Sequence, residues 1–115
     1  MSFVASSSST RRSVSAKPRV HVMFTGGTIS MKIDPVTQAA VPALSGRDIV
    51  SHVPGLRKVA RLTLEDYARL PGPHVSPRWM WGLKKRIEAH LAIPGVDGVV
   101  VAHGTGTIEE TAFLV

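Results

Sequence analysis

Three short apolar runs punctuate this chain, and each gives way to a small or polar turn. Val20 to Phe24 is apolar apart from His21 and runs into Thr25-Gly26-Gly27-Thr28. Gly98 to Ala102, with three successive valines at its centre, leads into His103-Gly104-Thr105. Continuous apolar stretches of this length fit strands buried on both faces. Val59 to Leu64 carries Arg61 in its middle, so a half-exposed or edge strand is expected there. Between these runs the spacing changes. Met80, Leu83, Ile87 and Leu91 recur at helical intervals, after Ser76 as N-cap and Pro77 at the first helical position, and Pro94-Gly95 ends that helix.

A shorter helix is expected after Ser45, with Asp48 three residues on as its capping-box partner and Ile49, Val50 and Val53 facing inward. Pro54-Gly55 stops it. Thr107 and Glu110 repeat that spacing and mark the start of a last helix. Residues 31–43 read as a connecting loop or loose hairpin around Asp34-Pro35. Residues 67–75, with Pro71, Gly72 and Pro73, read as a loop. Strand, helix, strand, helix, strand, helix is the order of an α/β fold, the N-terminal part of a doubly wound, mostly parallel sheet with flanking helices. Residues 1–18 are serine-rich with scattered arginine and are expected to form a disordered tail, leaving 19–115 as the folded α/β domain.

Composition removes several function classes. The chain has no cysteine, so disulfides and thiolate metal sites are excluded and a cytoplasmic location is the simple expectation. No apolar run approaches the roughly 18 residues of a membrane span, and the tail lacks the apolar core of a secretory signal. The net charge of +6 is concentrated in the tail and in Arg78, Lys84, Lys85 and Arg86 of one helix. A solvated helix face accounts for that charge. The few aromatic residues are not interleaved with it, so nucleic acid is not an expected partner.

Thr25-Gly26-Gly27-Thr28 permits a sharp turn and close approach of backbone to a ligand. Its N–H groups could hold an anion or polarise a carbonyl. The spacing matches neither dinucleotide-binding nor Walker loops. Two hydroxyls flanking the glycines suit a nucleophile if a base removes a proton. A tight structural turn and a phosphate-binding α/β module are the other readings of the same residues. His103, at a strand end, reads as framework or as a general base. His52, His74 and His90 lack ligand-like spacing, so no metal is expected. Glu109 and Glu110 are adjacent in a helix and point in different directions, which suits helix-start electrostatics better than paired catalysis.

Thr25-Gly-Gly-Thr28-Ile29 together with His103-Gly-Thr105-Gly-Thr107-Ile-Glu-Glu110-Thr-Ala112 resembles the two signatures of the bacterial-type L-asparaginase family. That family includes glutaminase-asparaginases and a related component of archaeal tRNA amidotransferases. The resemblance runs from about Val20 to Val115 and covers the front third of a typical member. It implies hydrolysis of a side-chain amide through a threonine acyl-enzyme, with L-asparagine and water giving L-aspartate and ammonia. Thr28 would be the nucleophile. Thr105 would belong to a threonine–lysine–aspartate group that manages protons. Gly26 and Gly27 would line the oxyanion position, and Gly27, Gly72, Pro73, Thr105 and Gly106 would contact a small amide substrate. No cofactor or metal is implied, and homo-oligomers are.

The sequence departs from the family pattern in places. Gly106 stands where the signature has an aspartate that holds the substrate's ammonium group. The family's lysine falls beyond Val115, the loop after Thr28 has no tyrosine, and Gly72-Pro73-His74 replaces a common Ser-Gln. The last helix stops on the apolar Ala112-Phe-Leu-Val115, which points to a truncated domain. The alternative expectation is therefore an inactive fragment or pseudoenzyme that serves as a binding or interaction module.

Overall fold

A computed structural model describes residues 1–6 and 16–115. Its elements, in chain order, are β1 (Ser2–Ser6), β2 (Arg19–Phe24), β3 (Met31–Ile33), β4 (Ala40–Pro42), α1 (Gly46–Ser51), α2 (Leu56–Val59), β5 (Arg61–Asp66), α3 (Pro77–Leu91), β6 (Gly98–Ala102) and α4 (Ile108–Leu114). Single 3₁₀ turns at Thr28–Ser30, Gly72–His74 and Thr105–Thr107 lie in the connections. The main sheet has the order β1-β6-β2-β5, and β3 pairs with β4 in a separate hairpin.

β2 is parallel to both β5 and β6, with Val22 opposite Leu64 on one side and Val100 on the other. That central position explains its burial, because both edges are hydrogen-bonded and both faces are covered. One face sends Met23, Val99 and Val101 against Leu83 and Ile87 of α3. The other sends Val22, Phe24 and Ala102 against Val50 of α1. The sheet is thus doubly wound and mostly parallel, as the alternation of apolar runs and helical stripes predicts.

The helix starts follow their local chemistry. At α1, Ser45 Oγ accepts from the Asp48 N–H and an Asp48 oxygen accepts from the Ser45 N–H, completing the capping box. At α3, Ser76 Oγ accepts from the Trp79 N–H at 3.2 Å, and Pro77 opens the helix. The buried stripe is Met80, Leu83 and Ile87, with Leu91 partly buried behind it.

The two crossovers cover opposite faces of the sheet. The chain passes through α1 and α2 to β5 at one edge, then through α3 to β6 on the other flank of β2. α4 follows β6 on the α3 face, where Lys84 donates to the Leu114 carbonyl and Val115 joins the core beneath α3. The connections after β2 and β6 therefore diverge to opposite faces of the sheet. The crevice they leave is the topological switch point, where open α/β sheets bind ligands.

Two segments differ from expectation. The serine-rich tail contributes a strand, because Ser2–Ser6 pairs antiparallel with β6. Phe3 and Ala5 turn inward while Val4 is 68 % exposed. A short alternating segment against an otherwise open strand edge is enough to pair. The rest of the expected tail, residues 7–15, lies outside the described residues. Strand β5 also starts two residues later than its apolar run, because Val59 closes the four-residue helix α2.

Candidate active site

β2 and β6 end side by side, and Thr25 fastens the two ends together. Its N–H donates to the Ala102 carbonyl at 3.1 Å and its hydroxyl donates to the same oxygen at 3.0 Å. With 3 % exposure, Thr25 is a clamp between strands and its hydroxyl is already committed. The two threonines of the turn thus separate into different jobs.

Gly26 and Gly27 carry the chain around the corner at φ +103° and +87°, a region that side chains rarely adopt. Space forbids a side chain as well. A Cβ on Gly26 would stand 2.7 Å from the Leu70 backbone, and one on Gly27 would stand 2.6 Å from the Gly104 Cα. The following 3₁₀ turn is locked by Ser30, whose N–H and hydroxyl both donate to the Gly27 carbonyl at 3.0 and 2.8 Å. Thr28 is left exposed at the rim.

The second wall begins at His103, which is 2 % exposed. Its Nδ1 lies 2.6 Å from the Gly104 carbonyl oxygen, which can only accept, so Nδ1 carries the proton. Nε2 is then the acceptor of the Thr111 hydroxyl at 3.0 Å. Both ring nitrogens are used inside the fold, and the Trp79 ring packs edge-on at 6.0 Å. This arrangement matches the framework reading of His103 and leaves no free nitrogen for general-base work.

Thr105 and Gly106 follow on an exposed 3₁₀ turn. Thr107 does not cap α4 as its spacing suggests: its side chain makes no cap bond. The hydroxyl donates instead to the Gly72 carbonyl, at a long 3.4 Å. That contact draws the Gly72–His74 turn toward the strand ends and makes it the third wall. Glu109 and Glu110 lie exposed in the first turn of α4, where they oppose the positive end of the helix.

These walls enclose an open cleft of about 200 Å³, lined by Gly27, Thr28, Met31, Pro71, Gly72, Pro73, Gly104, Thr105 and Gly106. Of the site residues singled out from the sequence, Thr28, Thr105, Gly27, Gly72, Pro73 and Gly106 line it, and Gly26 does not. A larger hollow of about 550 Å³ lies beside edge strand β5, between Arg47, Arg57 and Asp66, and includes none of them. Among the described residues lining the threonine cleft, none is ionisable. The lining can orient and desolvate a substrate, but a proton acceptor for a hydroxyl has to approach from outside it. Nothing lies within 4 Å of a Cβ added at Gly106, so the cleft has room for a side chain at that position.

Residue spacing gives no sign of one constellation, His21, Glu65 and His90, which meet beneath α3 away from this cleft. Their positions are 44 and 25 residues apart along the chain, and only the β2–β5 pairing and the packing of α3 reveal them.

Comparison with known proteins gives a consistent result. The family model described as "Asparaginase, N-terminal" matches residues 19–115. A probable L-asparaginase of Deinococcus radiodurans is 38% identical over 103 residues, covering 84% of this chain and 27% of that protein. A glutamyl-tRNA(Gln) amidotransferase component of Thermofilum pendens is 35% identical over 97 residues, covering 84% of this chain and 22% of that protein. Among solved structures, a probable cytoplasmic L-asparaginase from Campylobacter jejuni superposes with a TM-score of 0.75 at 35% identity, covering 85% of this chain and 31% of that one. The chain thus spans about a quarter of the length of these curated relatives.

Proposed function

This chain belongs to the asparaginase family, over that family's N-terminal portion, and on that premise we propose that its threonine cleft serves an L-asparaginase-type amidohydrolase reaction. The observation that carries the reading is the meeting of two separate threonine turns, after β2 and after β6, at one switch-point crevice. L-asparagine plus water would give L-aspartate plus ammonia.

Thr28 is the nucleophile in this reading. Its hydroxyl oxygen bonds to the side-chain carboxamide carbon while a base takes the hydroxyl proton. The tetrahedral oxyanion faces the backbone N–H groups of the glycine turn, and such preorganised donors supply a large share of the barrier reduction in acyl transfer. Collapse expels the amide nitrogen, protonated, as ammonia. Water then cleaves the aspartyl ester and regenerates Thr28. Thr105, exposed across the cleft, orients the attacking hydroxyl or water. Thr25 takes no chemical part, since its hydroxyl is spent on Ala102.

Gly27, Gly72, Pro73 and Gly106 would contact the substrate largely through backbone, because they bring no polar side chain. The partner is a small amide; a homo-oligomeric assembly and a cytoplasmic location belong to the same proposal. No cofactor is required by this chemistry. The test is ammonia release from L-asparagine by the purified chain and by Thr28→Ala. Release that depends on Thr28 supports the reading, and equal release from both proteins removes Thr28 from the mechanism.

A second reading is favoured by Gly106. Without a carboxylate there, the substrate's ammonium group lacks its expected partner, and the chain would act as a binding or interaction module without turnover. Binding of L-aspartate with no ammonia release from L-asparagine would select this second reading.

A further inference from the structure

Away from the cleft, three side chains converge on the face of the sheet that α3 covers. His21 comes from β2, Glu65 from β5 and His90 from the last turn of α3. The Glu65 Oε2 atom is their meeting point, 2.9 Å from His21 Nε2 and 2.9 Å from His90 Nε2. One donor atom from each residue lies within 4.8 Å of the others. The side chains of His21, His90 and Glu65 are 8, 14 and 20 % exposed, so the group is nearly enclosed and Glu65 is its most open member.

We propose that His21 Nε2, His90 Nε2 and a Glu65 carboxylate oxygen form a binding site for a zinc-class divalent transition-metal ion, clipping edge strand β5 to β2 and α3. Two imidazoles and one carboxylate are a donor set that suits zinc and its neighbours. The spacing is close to what such an ion needs. Donors about 2.1 Å from a tetrahedral ion stand about 3.4 Å apart, so each 2.9 Å contact has to open by about half an ångström. The two rings stack at 3.6 Å with an 18° angle between planes. They must tilt apart for both lone pairs to point at one ion. Solvent on the Glu65 side can supply the fourth ligand.

The surroundings support the first ligands. Thr63 Oγ1 lies 2.7 Å from His21 Nδ1. In the ion-bound form the proton sits on Nδ1 and this hydroxyl accepts it, which leaves Nε2 to the ion, as outer-shell partners of metal-bound histidines do. Arg86 Nε donates to Glu65 Oε1 at 3.0 Å and more weakly to Oε2 at 3.3 Å. It orients the carboxylate, and its charge opposes the ion. In the metal-free arrangement each Nε2–H donates to Glu65, and uptake of the ion displaces that proton, in His21 to Nδ1 facing Thr63.

The test titrates tag-free, metal-stripped chain with CoCl₂ and follows visible absorption. The expected result is a d–d band saturating at one Co²⁺ per chain, displaced by Zn²⁺ and retained in the control His74→Ala. Glu65→Gln and His90→Ala lose the band while their metal-free far-ultraviolet circular dichroism matches the wild type. As a readout independent of variants, excess Zn²⁺ raises the Tm of the wild-type chain through mass action on the folded state. A wild-type chain with no band and an unchanged Tm overturns the site. So does a band that persists in both variants.

Discussion

Gly27 and Gly104 meet backbone to backbone across the switch point: a Cβ added to Gly27 would stand 2.6 Å from the Gly104 Cα. This contact holds the turn after β2 against the turn after β6, and it sets the width of the cleft between Thr28 and Thr105.

Gly27→Ala therefore meets two penalties, a backbone conformation essentially confined to glycine (φ +87°, ψ −174°) and a backbone neighbour that cannot swing away. Together they amount to about 2–5 kcal/mol. Gly55 is the control. It lies in the left-handed helical region at φ +90°, ψ −14°, with nothing within 4 Å of an added Cβ, so Gly55→Ala should cost only about 1–2 kcal/mol. Urea denaturation of the two variants measures the difference.

Gly106→Asp should be tolerated, because an added Cβ meets nothing within 4 Å and the position is exposed. Surface changes of this kind stay within about 0.5 kcal/mol of the parent. Under the proposed function the new carboxylate pairs with the substrate ammonium and tightens L-asparagine binding by at least about tenfold, or about 1.4 kcal/mol. Calorimetric titration of both proteins reads this directly.

Thr111→Val preserves shape and removes the hydroxyl that donates to His103 Nε2. A fully buried nitrogen then loses its partner, which costs about 1–3 kcal/mol. The variant should unfold at lower urea than the wild type, with the His103 ring resonances shifted in NMR spectra.

These predictions rest on features of unequal visibility in the sequence. The apolar runs of β2 and β6, the stripe of α3 and the caps at Ser45 and Ser76 could be read directly, because each is fixed by neighbours within a few residues. The two glycine–threonine turns could be read the same way, whereas the choice of Thr28, Thr105, Gly27, Gly72, Pro73 and Gly106 as site residues rests on the family resemblance, and Gly72 and Pro73 reach the cleft through a loop contact with Thr107. The residues of the first turn alone do not tell its two threonines apart, and only the resemblance singled out Thr28, because Thr25 is claimed by Ala102, 77 residues away. Strand β1 was hidden in serine-rich composition, and its partner is the distant β6. Thr107 kept its capping-box spacing yet bonds Gly72 instead, since a loop 35 residues away competed for the hydroxyl.

Stability should fall on acidification in two stages. The His21 pKa is lowered in the fold, first by burial and also by the charges of His90 and Arg86, against the raising effect of Glu65. Below the ordinary value of 6.5 the unfolded chain takes up that proton first, so stability declines as pH drops. For Glu65, burial raises the pKa, but hydrogen bonds from His21, Arg86 and His90 outweigh it and the net shift is downward. Its stabilising contribution is present above the ordinary 4.5 and is lost as pH falls further. Denaturant midpoints between about pH 7 and pH 3 should decrease throughout, and Glu65→Gln should flatten the lower part of the curve.

The central claim, that Thr28 is the residue acylated by an amide substrate, is tested most directly by trapping. The chain is mixed with L-asparagine, quenched in acid, digested and mapped by mass spectrometry. The predicted result is an aspartyl ester on the peptide that contains Thr28 and none in Thr28→Ala. An ester located on another residue, or continued ammonia release from Thr28→Ala, would contradict it.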